Sequence, residues 1–374
     1  MKILHVYKTY LPEDFTGVPR VIHALAEGAA RAGAESSVFA LTRGGRSKSL
    51  HVGQHQVHLA PQNLAVASTG FSLSAFAQFK SLAATADIIH YHYPWPMGDL
   101  LHFYARPSCP VVVTYHSDIV RQKTLLHLYA PLRDRFLAGM DRVIATSSAY
   151  AETSLTLKKF SSKVCVIPIG MDDSPAPDPA KRTYWRDRVG TGFFLFVGAL
   201  RYYKGIDFLM QAAKRNGLPV IVAGSGDPAP WQGPGIEKVT FVGEIDDADK
   251  LALLDLCHAF VFPSHLRSEA FGISLVEAAR AGKPMICAEI GTGTTFINID
   301  GLTGLVVPPG DAAALSAAMT LLANTPGMAR AMGQAARYRY ETLFRAQFMV
   351  DAHVDLYSQL LGGHKPSGIA DPHS

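Results

Sequence analysis

Short strands rich in β-branched and aromatic residues alternate with amphipathic helices along almost the whole chain, and this alternation constrains the fold more than any other feature. Lys2–Lys8 is typical of a first strand, and Val18–Gly33 follows with apolar positions at helical spacing. Buried strands that alternate with helices favour a parallel, doubly wound sheet. The other strands predicted in the front half are Ser37–Leu41, Gln56–Ala60, Asp87–Tyr93, Pro110–Tyr115, Arg142–Thr146 and Lys163–Ile169, with helices near 73–84, 123–139 and 148–159.

A proline-rich stretch, Met171–Arg188, interrupts the alternation. It has three prolines in five residues and no apolar periodicity before Tyr184, so we predict a linker there. The alternation then restarts, and 374 residues are more than one hydrophobic core normally serves. We therefore predict an α/β protein of two doubly wound, Rossmann-like domains that face each other across a cleft, with the first over residues 1–170. We expect the tail at 362–374 to be disordered.

The second half repeats the pattern of the first. Two such domains place ligands at the carboxyl ends of both sheets, so the chemistry is expected there. The predicted strands are Phe193–Leu200, Pro219–Ala223, Val239–Gly243, Ala259–Pro263, Pro284–Ala288 and Gly304–Val307, and the predicted helices run to Asn216, over Asp246–His258, to Ala281, and over 311–323, 327–343 and Ala346–Leu361.

Composition excludes several classes of protein. Hydrophobic residues make up 48% of the chain and charged residues 18%, which excludes an intrinsically disordered protein. The four cysteines lie too far apart for a zinc site and are too few for a disulfide framework. No signal peptide or membrane span is recognisable, so we expect a cytoplasmic protein. The net charge of +4 is too small to indicate nucleic acid, but residues 1–170 hold 17 Lys and Arg against 10 Asp and Glu.

Several familiar motifs fail on inspection. Gly224-Ser-Gly226 follows a strand as a dinucleotide fingerprint would, but the next residues cannot form the helix that holds the pyrophosphate. We interpret Gly224 as part of a turn whose backbone approaches a ligand, with a plain loop as the equal alternative. Asp247 and Asp249 open a helix, where capping is favoured over metal binding. His90 and His92 share a strand face. We interpret them, with the aromatic residues beside them, as a cluster that lines the cleft, in preference to a zinc site.

The strongest constellation is the segment Arg267–Glu277. Glu269 and Glu277 are eight positions apart and flank the sequence Phe271-Gly272, directly after a strand. The helix that starts there offers the free N–H groups of Phe271, Gly272 and Ile273, which suit a phosphate.

Three further segments lie after the carboxyl ends of predicted strands. Arg201 and Lys204 follow the strand Phe193–Leu200, where two cations can balance a diphosphate. Gly17 precedes a helix and allows the backbone to approach an anion. His116 lies in Thr114–Asp118, at the end of a front-half strand. Each segment alone is weak evidence, but together they make a diphosphate site at these strand ends a much stronger prediction.

These residues resemble family 4 of the retaining glycosyltransferases, which adopt the two-domain GT-B fold. The Gly17 turn, the His116 segment, the Arg201/Lys204 pair and the Glu269/Glu277 motif occur in the family's order over almost the whole chain. The segment Asp300–Gly304 matches as well. Gly224-Ser-Gly226 departs from the family, because many members carry an acidic middle residue. The resemblance implies that the helix 346–361 returns to the first domain, which leaves 171–345 as the donor-binding domain.

A narrower resemblance concerns four segments: Tyr91–Pro96, Thr114–Gln122, Leu200–Gly205 and Ser264–Gly272. They look like bacterial enzymes that use GDP-mannose or GDP-D-rhamnose in O-antigen assembly. This implies a nucleotide-diphosphate sugar as donor and a polyprenyl-diphosphate-linked glycan as acceptor. It also gives the basic front half a candidate partner, the anionic inner face of the plasma membrane. The residues that would meet lipid are Arg43, Arg46, Lys48, Lys158, Lys159 and Lys163.

The resemblance also implies roles for the site residues. Arg201 and Lys204 hold the donor diphosphate, while Gly17 and the amides of Phe271, Gly272 and Ile273 add backbone donors. Glu269 binds the donor sugar, Glu277 the ribose, and His116 lies beside the sugar on the acceptor side. No metal or cofactor is implied. A UDP-sugar transferase of the same family and a GT-B nucleotide-sugar epimerase remain the alternatives.

Overall fold

The computed structural model describes residues 1–66, 69–119 and 123–362, and the chain divides into two compact units. Of the described residues, the first unit contains those of Met1–Thr146, Ser154–Met171 and 346–362, and the second contains Ser147–Thr153 and Asp172–Arg345. The tail predicted to be disordered lies, from residue 363, outside the described residues.

The helices and strands before residue 171 follow the predicted alternation. The predicted helix over 148–159 is two helices, because Ser154 caps the second one through a hydrogen bond from the Leu157 amide. The elements are β1 (Lys2–Val6), α1 (Val18–Arg31), β2 (Glu35–Thr42), β3 (Lys48–Val52), β4 (His55–Pro61), β5 (Leu64–Val66), β6 (Thr69–Phe71), α2 (Ser74–Ala83), β7 (Ile88–Tyr93), α3 (Pro96–Ala105), β8 (Val111–Tyr115), α4 (Lys123–Ala138), β9 (Arg142–Ala145), α5 (Ser148–Thr153), α6 (Leu155–Lys159) and β10 (Val164–Val166).

The elements after residue 171 repeat the alternation. They are α7 (Pro179–Val189), β11 (Phe194–Val197), α8 (Ile206–Asn216), β12 (Val220–Ala223), β13 (Val239–Gly243), α9 (Asp247–Leu256), β14 (Ala259–Phe262), α10 (Ile273–Arg280), β15 (Met285–Ala288), α11 (Gly293–Ile297), β16 (Gly304–Val307), α12 (Ala312–Asn324), α13 (Pro326–Leu343) and α14 (Ala346–Leu361). The last of these, α14, belongs to the first unit.

Each unit is built on one main sheet. Within the described residues, the first sheet has eight strands in the order β10-β9-β8-β7-β1-β2-β4-β3, and β3 alone runs antiparallel to its neighbour. The second has six parallel strands in the order β13-β12-β11-β14-β15-β16. The central strands of both sheets bury both faces, as the unbroken apolar runs of the sequence require, whereas the edge strands β3 and β13 are partly exposed. The doubly wound α/β architecture is thus confirmed.

The strand β3 and the β5–β6 hairpin were not predicted. All three strands are short and carry polar or exposed residues, because they pair at an edge or with each other instead of inside the sheet. The helix α3 was also missed. Its start, Pro96, follows a run of aromatic residues that gives no helical periodicity.

The predicted linker Met171–Arg188 was wrong over its second half. Pro179–Val189 forms α7, whose first turn is capped by Asp178 through hydrogen bonds from the amides of Ala180 and Lys181. An Asp before a Pro at the first helical position is a helix start signal. Trp185 anchors the helix, because its ring is buried and its Nε1 donates to Asp249 at 2.9 Å.

The segment Ser147–Thr153, expected in the first domain, packs with the second unit. The Thr153 hydroxyl donates to the carbonyl oxygen of Gly291 at 2.5 Å. Arg267 donates to the same hydroxyl at 3.0 Å and lies over the ring of Tyr150, 5.1 Å from its centroid. These contacts join α5 to the loop between β15 and α11. In the ranges that the structure describes, no helix is long and apolar enough to cross a membrane.

Candidate active site

Strand order places two switch points in the molecule, one in each unit. In the second unit β11 pairs with β12 on one side and β14 on the other, so consecutive connections leave in opposite directions. In the first unit β1 pairs in the same way with β2 and β7. Ligands of open parallel sheets bind at the carboxyl ends of the strands beside such a point. The predicted site residues follow β1, β8, β11, β12 and β14, and therefore lie at these edges.

The second unit brings Lys204 and Glu269 together. Lys204 Nζ lies 2.5 Å from Glu269 Oε2, and the two side chains are only 12% and 13% exposed. The ammonium group also lies over the ring of Phe262, 4.8 Å from its centroid. Ser264, which is fully buried, directs its hydroxyl at the same carboxylate oxygen at 3.4 Å. A weakly hydrated ion pair at a strand end is suited to exchange partners with a charged ligand.

Gly205 fixes the loop that carries Lys204. Its φ of +74° favours glycine, and an added Cβ would lie 2.0 Å from the carbonyl oxygen of Pro263. The loop after β11 therefore contacts the backbone of the loop after β14. This contact holds Lys204 within reach of Glu269.

The amino terminus of α10 has the geometry that the sequence predicted. Gly272 precedes the helix with a φ of +97° and provides no side-chain cap. In residues 1–66, 69–119 and 123–362, the amides of Phe271, Gly272 and Ile273 donate to no acceptor. These groups and the helix dipole favour an anion.

Glu277 lies inside α10 and is held by a residue that the sequence analysis missed. Lys250 Nζ lies 2.5 Å from Glu277 Oε1, with the side chains 12% and 11% exposed, and 2.9 Å from the exposed carboxylate of Asp247. Lys250 belongs to α9, 27 residues earlier in the chain. The sequence does show a lysine among the acidic residues of the predicted helix Asp246–His258. Nothing in the local sequence, however, indicates that this lysine contacts Glu277.

Arg201 and Gly224 lie at the same edge. Arg201 is exposed and forms no ion pair with another described residue. Gly224 has a φ of +148°, and a Cβ there would lie 2.0 Å from the carbonyl oxygen of Gly198. A glycine is thus required here because the backbone of residue 224 packs against the backbone just after β11. Its predicted contact with a ligand stays a prediction.

At the start of α9 the capping side chain is Asp246, whereas Asp247 and Asp249, for which capping was predicted, lie in the first turn and pair with lysines. Asp246 accepts a hydrogen bond from the amide of Asp249 at 2.7 Å, and Asp249 in turn binds Lys181 at 2.8 Å. Asp247 pairs with Lys250. These carboxylates thus stabilise the helix and its attachment to α7.

In the first unit, Gly17 is the residue before α1 and has a φ of +54°. An added Cβ would meet nothing within 4 Å, so its backbone faces open space. His116 follows β8, and its amide donates to the carbonyl oxygen of Tyr93 at 3.0 Å. Gly17 and His116 lie at the carboxyl edge of their own sheet, as predicted.

His116 belongs to a group of buried imidazole rings, here called the histidine cluster: His5, His90, His92, His116 and His353. In-register pairing explains it, since His5 lies opposite His90 and His92 lies opposite Thr114, two residues before His116. The α14 helix covers this face and adds His353. His90 and His92 stack with ring centroids 4.2 Å apart but are 0% and 1% exposed, so the expectation that they line a cleft was wrong.

Burial keeps the histidine cluster neutral. It lowers the pKa of His5 and of His116 to about 3 and that of His353 to about 4. Burial and the neighbouring histidines lower the pKa of His90 and His92 well below the usual 6.5. The sequence signal for this cluster was a histidine at the centre of each of two buried strands.

Two of the basic residues expected to meet lipid are engaged inside the first unit. Lys159 Nζ lies 2.8 Å from the carboxylate of Asp134. Lys163 Nζ donates to the carbonyl oxygens of Ala138 and Met140 at 2.5 and 2.9 Å. Lys159 is nevertheless 55% exposed, and Arg43, Arg46, Lys48 and Lys158 are exposed as well, so the predicted contact with lipid stays a prediction.

Comparison with known proteins identifies the family. Residues 15–174 match the family model described as Glycosyltransferase Family 4, and residues 181–339 match the one described as Glycosyl transferases group 1. O-antigen chain mannosyltransferase C of Escherichia coli is 46% identical over 96% of this chain and 99% of that protein. D-rhamnosyltransferase WbpZ of Pseudomonas aeruginosa is 49% identical, with 92% and 93% covered.

Solved structures show the same fold. Sucrose-phosphate synthase from Thermosynechococcus elongatus superposes with a TM-score of 0.80 at 22% identity, covering 97% of this chain and 99% of that one. Anabaena HepE, solved in complex with UDP and glucose, superposes with a TM-score of 0.72 at 19% identity, covering 96% and 100%. The chain therefore belongs to the GT-B glycosyltransferases, with a Glycosyltransferase Family 4 region followed by a Glycosyl transferases group 1 region.

Proposed function

We propose that this protein is a retaining hexosyltransferase that moves mannose or D-rhamnose from a GDP-sugar onto a lipid-linked glycan in O-antigen biosynthesis. The observation that carries the proposal is the near full-length identity to an O-antigen mannosyltransferase and a D-rhamnosyltransferase. The ion pair Lys204–Glu269 beside the free amides of α10 supplies the matching chemistry.

On the donor side, Arg201 and Lys204 bind the diphosphate and stabilise the charge that develops as it leaves. The amides at the start of α10 donate to the same phosphate groups. Glu269 accepts hydrogen bonds from the sugar hydroxyls, and Glu277 accepts them from the ribose. Gly224 contributes backbone close to the nucleoside.

On the acceptor side, Gly17 lets the backbone approach the diphosphate and His116 hydrogen-bonds to the transferred sugar. Retention usually requires a carboxylate nucleophile. Glu269 is assigned to the sugar hydroxyls and Glu277 to the ribose, so the site residues proposed here leave no carboxylate for that role. We therefore infer a same-face displacement in which the leaving phosphate accepts the proton of the attacking hydroxyl.

We further propose that the reaction needs no metal or cofactor, because Arg201 and Lys204 supply the positive charge that an ion supplies elsewhere. The protein acts in the cytoplasm, at the inner face of the plasma membrane. Arg43, Arg46 and Lys48 lie close in sequence and are exposed, and each adds about 1 kcal/mol of attraction near anionic lipid.

Thermal unfolding with GDP, UDP or ADP, each with and without EDTA, tests the donor. A nucleotide at 100 times its dissociation constant adds about 2.7 kcal/mol to the free energy of unfolding. We expect GDP to stabilise most and EDTA to change nothing. Preferential stabilisation by UDP would support the UDP-sugar alternative instead, and a loss of stabilisation in EDTA would contradict the metal-free site.

Turnover of GDP-mannose and GDP-D-rhamnose tests the residue roles. Arg201→Ala should lower kcat about 10²–10³-fold, as expected for one charge-stabilising contact. Arg215→Ala is the matched control, since it removes the same charge from the far end of α8 and should leave kcat unchanged. Near-normal turnover in both Arg201→Ala and Glu269→Ala would disprove the site. Conversion of the donor without acceptor would indicate an epimerase.

A further inference from the structure

The histidine cluster contains a hydrogen-bonded chain of three rings that ends at His116. His5 Nδ1 lies 3.3 Å from His92 Nε2, and His92 Nδ1 lies 2.9 Å from His116 Nε2. His5 and His92 are 0% and 1% exposed, so water does not compete for these bonds. The chain connects the interior of the first unit to the carboxyl edge of its sheet.

Only two proton arrangements fit this chain when the three rings are neutral. A neutral imidazole carries one N–H and one lone pair. Either every ring donates toward His116, or every ring donates toward His5. A mixed arrangement would oppose two N–H groups or two lone pairs. Because burial lowers the pKa of His5 and of His116 to about 3, the neutral forms are the relevant ones.

The buried end of the chain distinguishes the two arrangements. His5 Nε2 is buried and has no partner among the described residues. Donation toward His5 would leave an unpaired N–H at this atom, whereas donation toward His116 leaves only a lone pair. Unpaired buried N–H groups are the rarer defect in folded proteins.

His353 also leaves a lone pair, and not an N–H group, at its buried nitrogen without a partner. Its Nδ1 lies 2.7 Å from the carbonyl oxygen of Met349 and must donate to it. The unpartnered Nε2 of His353 is therefore a lone pair. The cluster already contains one buried nitrogen of the kind that the arrangement toward His116 requires.

We propose that His5 and His92 are positioning residues that hold His116 in its Nδ1–H tautomer, so that His116 offers a hydrogen-bond donor at the edge of the sheet. Nδ1 of His116 forms no hydrogen bond with the described residues. The inference rests on the proposed function for one step, that a hydroxyl of the transferred sugar accepts this bond. A ring held in this way cannot remove the acceptor's proton, which leaves that task to the donor phosphate.

A metal site is the competing interpretation of the same residues. Ligand nitrogens of His5, His90 and His92 lie within 4.8 Å of one another. However, His90 already uses Nδ1 with Tyr357 and Nε2 with Thr114, at 2.6 and 2.7 Å, and His92 uses both nitrogens in the chain. An ion would have to replace these hydrogen bonds, so the observed pairing favours the chain.

Two-bond ¹H–¹⁵N spectra of the ligand-free full-length protein, labelled at histidine nitrogen, test the tautomer directly. Loss of one signal set in His116→Asn assigns His116. We expect Nδ1 of His116 to have the shift of a protonated nitrogen and Nε2 that of an unprotonated one. The reverse pattern would overturn the inference, as would one equivalent of zinc in metal analysis together with metal-shifted nitrogens of His5 and His92.

Variants then separate positioning from packing. His5→Phe removes the donor and should shift His116 toward a mixture of tautomers, with kcat/KM lowered in proportion to the Nδ1–H form that is lost, about twofold for an equal mixture. His5→Asn keeps an amide N–H where Nδ1 was and should restore both. His90→Asn disturbs the cluster outside the chain and should leave the His116 tautomer unchanged.

The two proposals fail in different ways. A protonated Nδ1 in wild type, with tautomer loss in His5→Phe but unaltered kcat/KM, would refute the sugar contact of His116 and retain the polarised chain. A protonated Nε2 would refute the chain and leave the transferase proposal intact. An identical His116 tautomer in His5→Phe and wild type would show that His5 does not position it.

Discussion

Mild acid should unfold the first unit through its histidine cluster. The folded pKa values of His5 and His116 are about 3 and that of His353 is about 4, against an ordinary 6.5 in the unfolded chain. Because the folded values lie lower, the unfolded chain binds more protons as the pH falls below 6.5. The stability from neutral burial is therefore complete above pH 6.5 and is lost as the pH falls toward the folded pKa.

The size of the effect follows from the pKa values. At pH 5.5, one pH unit below the unfolded pKa, each such histidine has lost about 1.4 kcal/mol of stabilisation. His90 and His92 behave alike, since burial lowers their pKa values well below 6.5. The five rings together lose about 7 kcal/mol, which is comparable to the whole stability of an ordinary domain.

Tryptophan positions allow each unit to be followed separately. Trp95 lies in the first unit, whereas Trp185 and Trp231 lie in the second. Urea unfolding of a Trp185→Phe/Trp231→Phe variant, followed by fluorescence at pH 7.5 and 5.5, reports the first unit. The second unit, whose histidines are His258 and His265, serves as the control, and its free energy of unfolding should change much less between the two pH values.

A single substitution refines the comparison. His353→Gln should reduce the loss between pH 7.5 and 5.5 by about 1.4 kcal/mol, whatever it costs at pH 7.5. If the free energy of unfolding of the first unit changed by less than about 3 kcal/mol between the two pH values, no more than two of the five rings would be buried as neutral groups. The positioning of His116 through neutral rings would then lose its basis.

Two further perturbations concern the second unit. Lys250→Met leaves Glu277 buried without its partner and should lower the free energy of unfolding by about 3 kcal/mol, measured in urea, whereas Asp247→Asn removes an exposed partner and should cost under about 1 kcal/mol. Gly205→Ala pushes a methyl group against a carbonyl oxygen 2.0 Å away and should cost over about 3 kcal/mol, while Gly217→Ala, with a similar φ of +63° and open space around it, should cost about 1–2 kcal/mol. Equal losses within either pair would contradict the contact that distinguishes its members.

Local sequence predicted the elements whose signal is local. Strands such as Phe194–Val197 are runs of apolar residues between turn residues, and α1 repeats its buried positions with the period of a helix. The linker was predicted wrongly although a local signal was present. The three prolines were interpreted as a break in regular structure, whereas the pair Asp178-Pro179 marks the start of a helix that Asp178 caps.

The candidate site was predictable in part for the same reason. Arg201, Lys204 and Glu269 follow strands, and parallel strands bring their carboxyl ends to one edge, so their neighbourhood follows from topology. Lys250 was not predictable, because its contact with Glu277 depends on how α9 packs beside α10. The alignment of His5 with His90 depends in the same way on the register between β1 and β7, which no local pattern encodes.

The two units together favour one division of the chemistry. In the second unit, Glu269 and Glu277 are each paired with a lysine, and the proposed function assigns both carboxylates to hydroxyl groups of the donor. In the first, His116 ends a chain of neutral rings and its pKa of about 3 makes it a poor base. Under the proposed function, neither kind of group acts as a base or a covalent nucleophile, which leaves the phosphate that departs from the donor as the base. The proposal then assigns to the protein the task of holding that phosphate with cations and amides while hydrogen bonds fix the sugar.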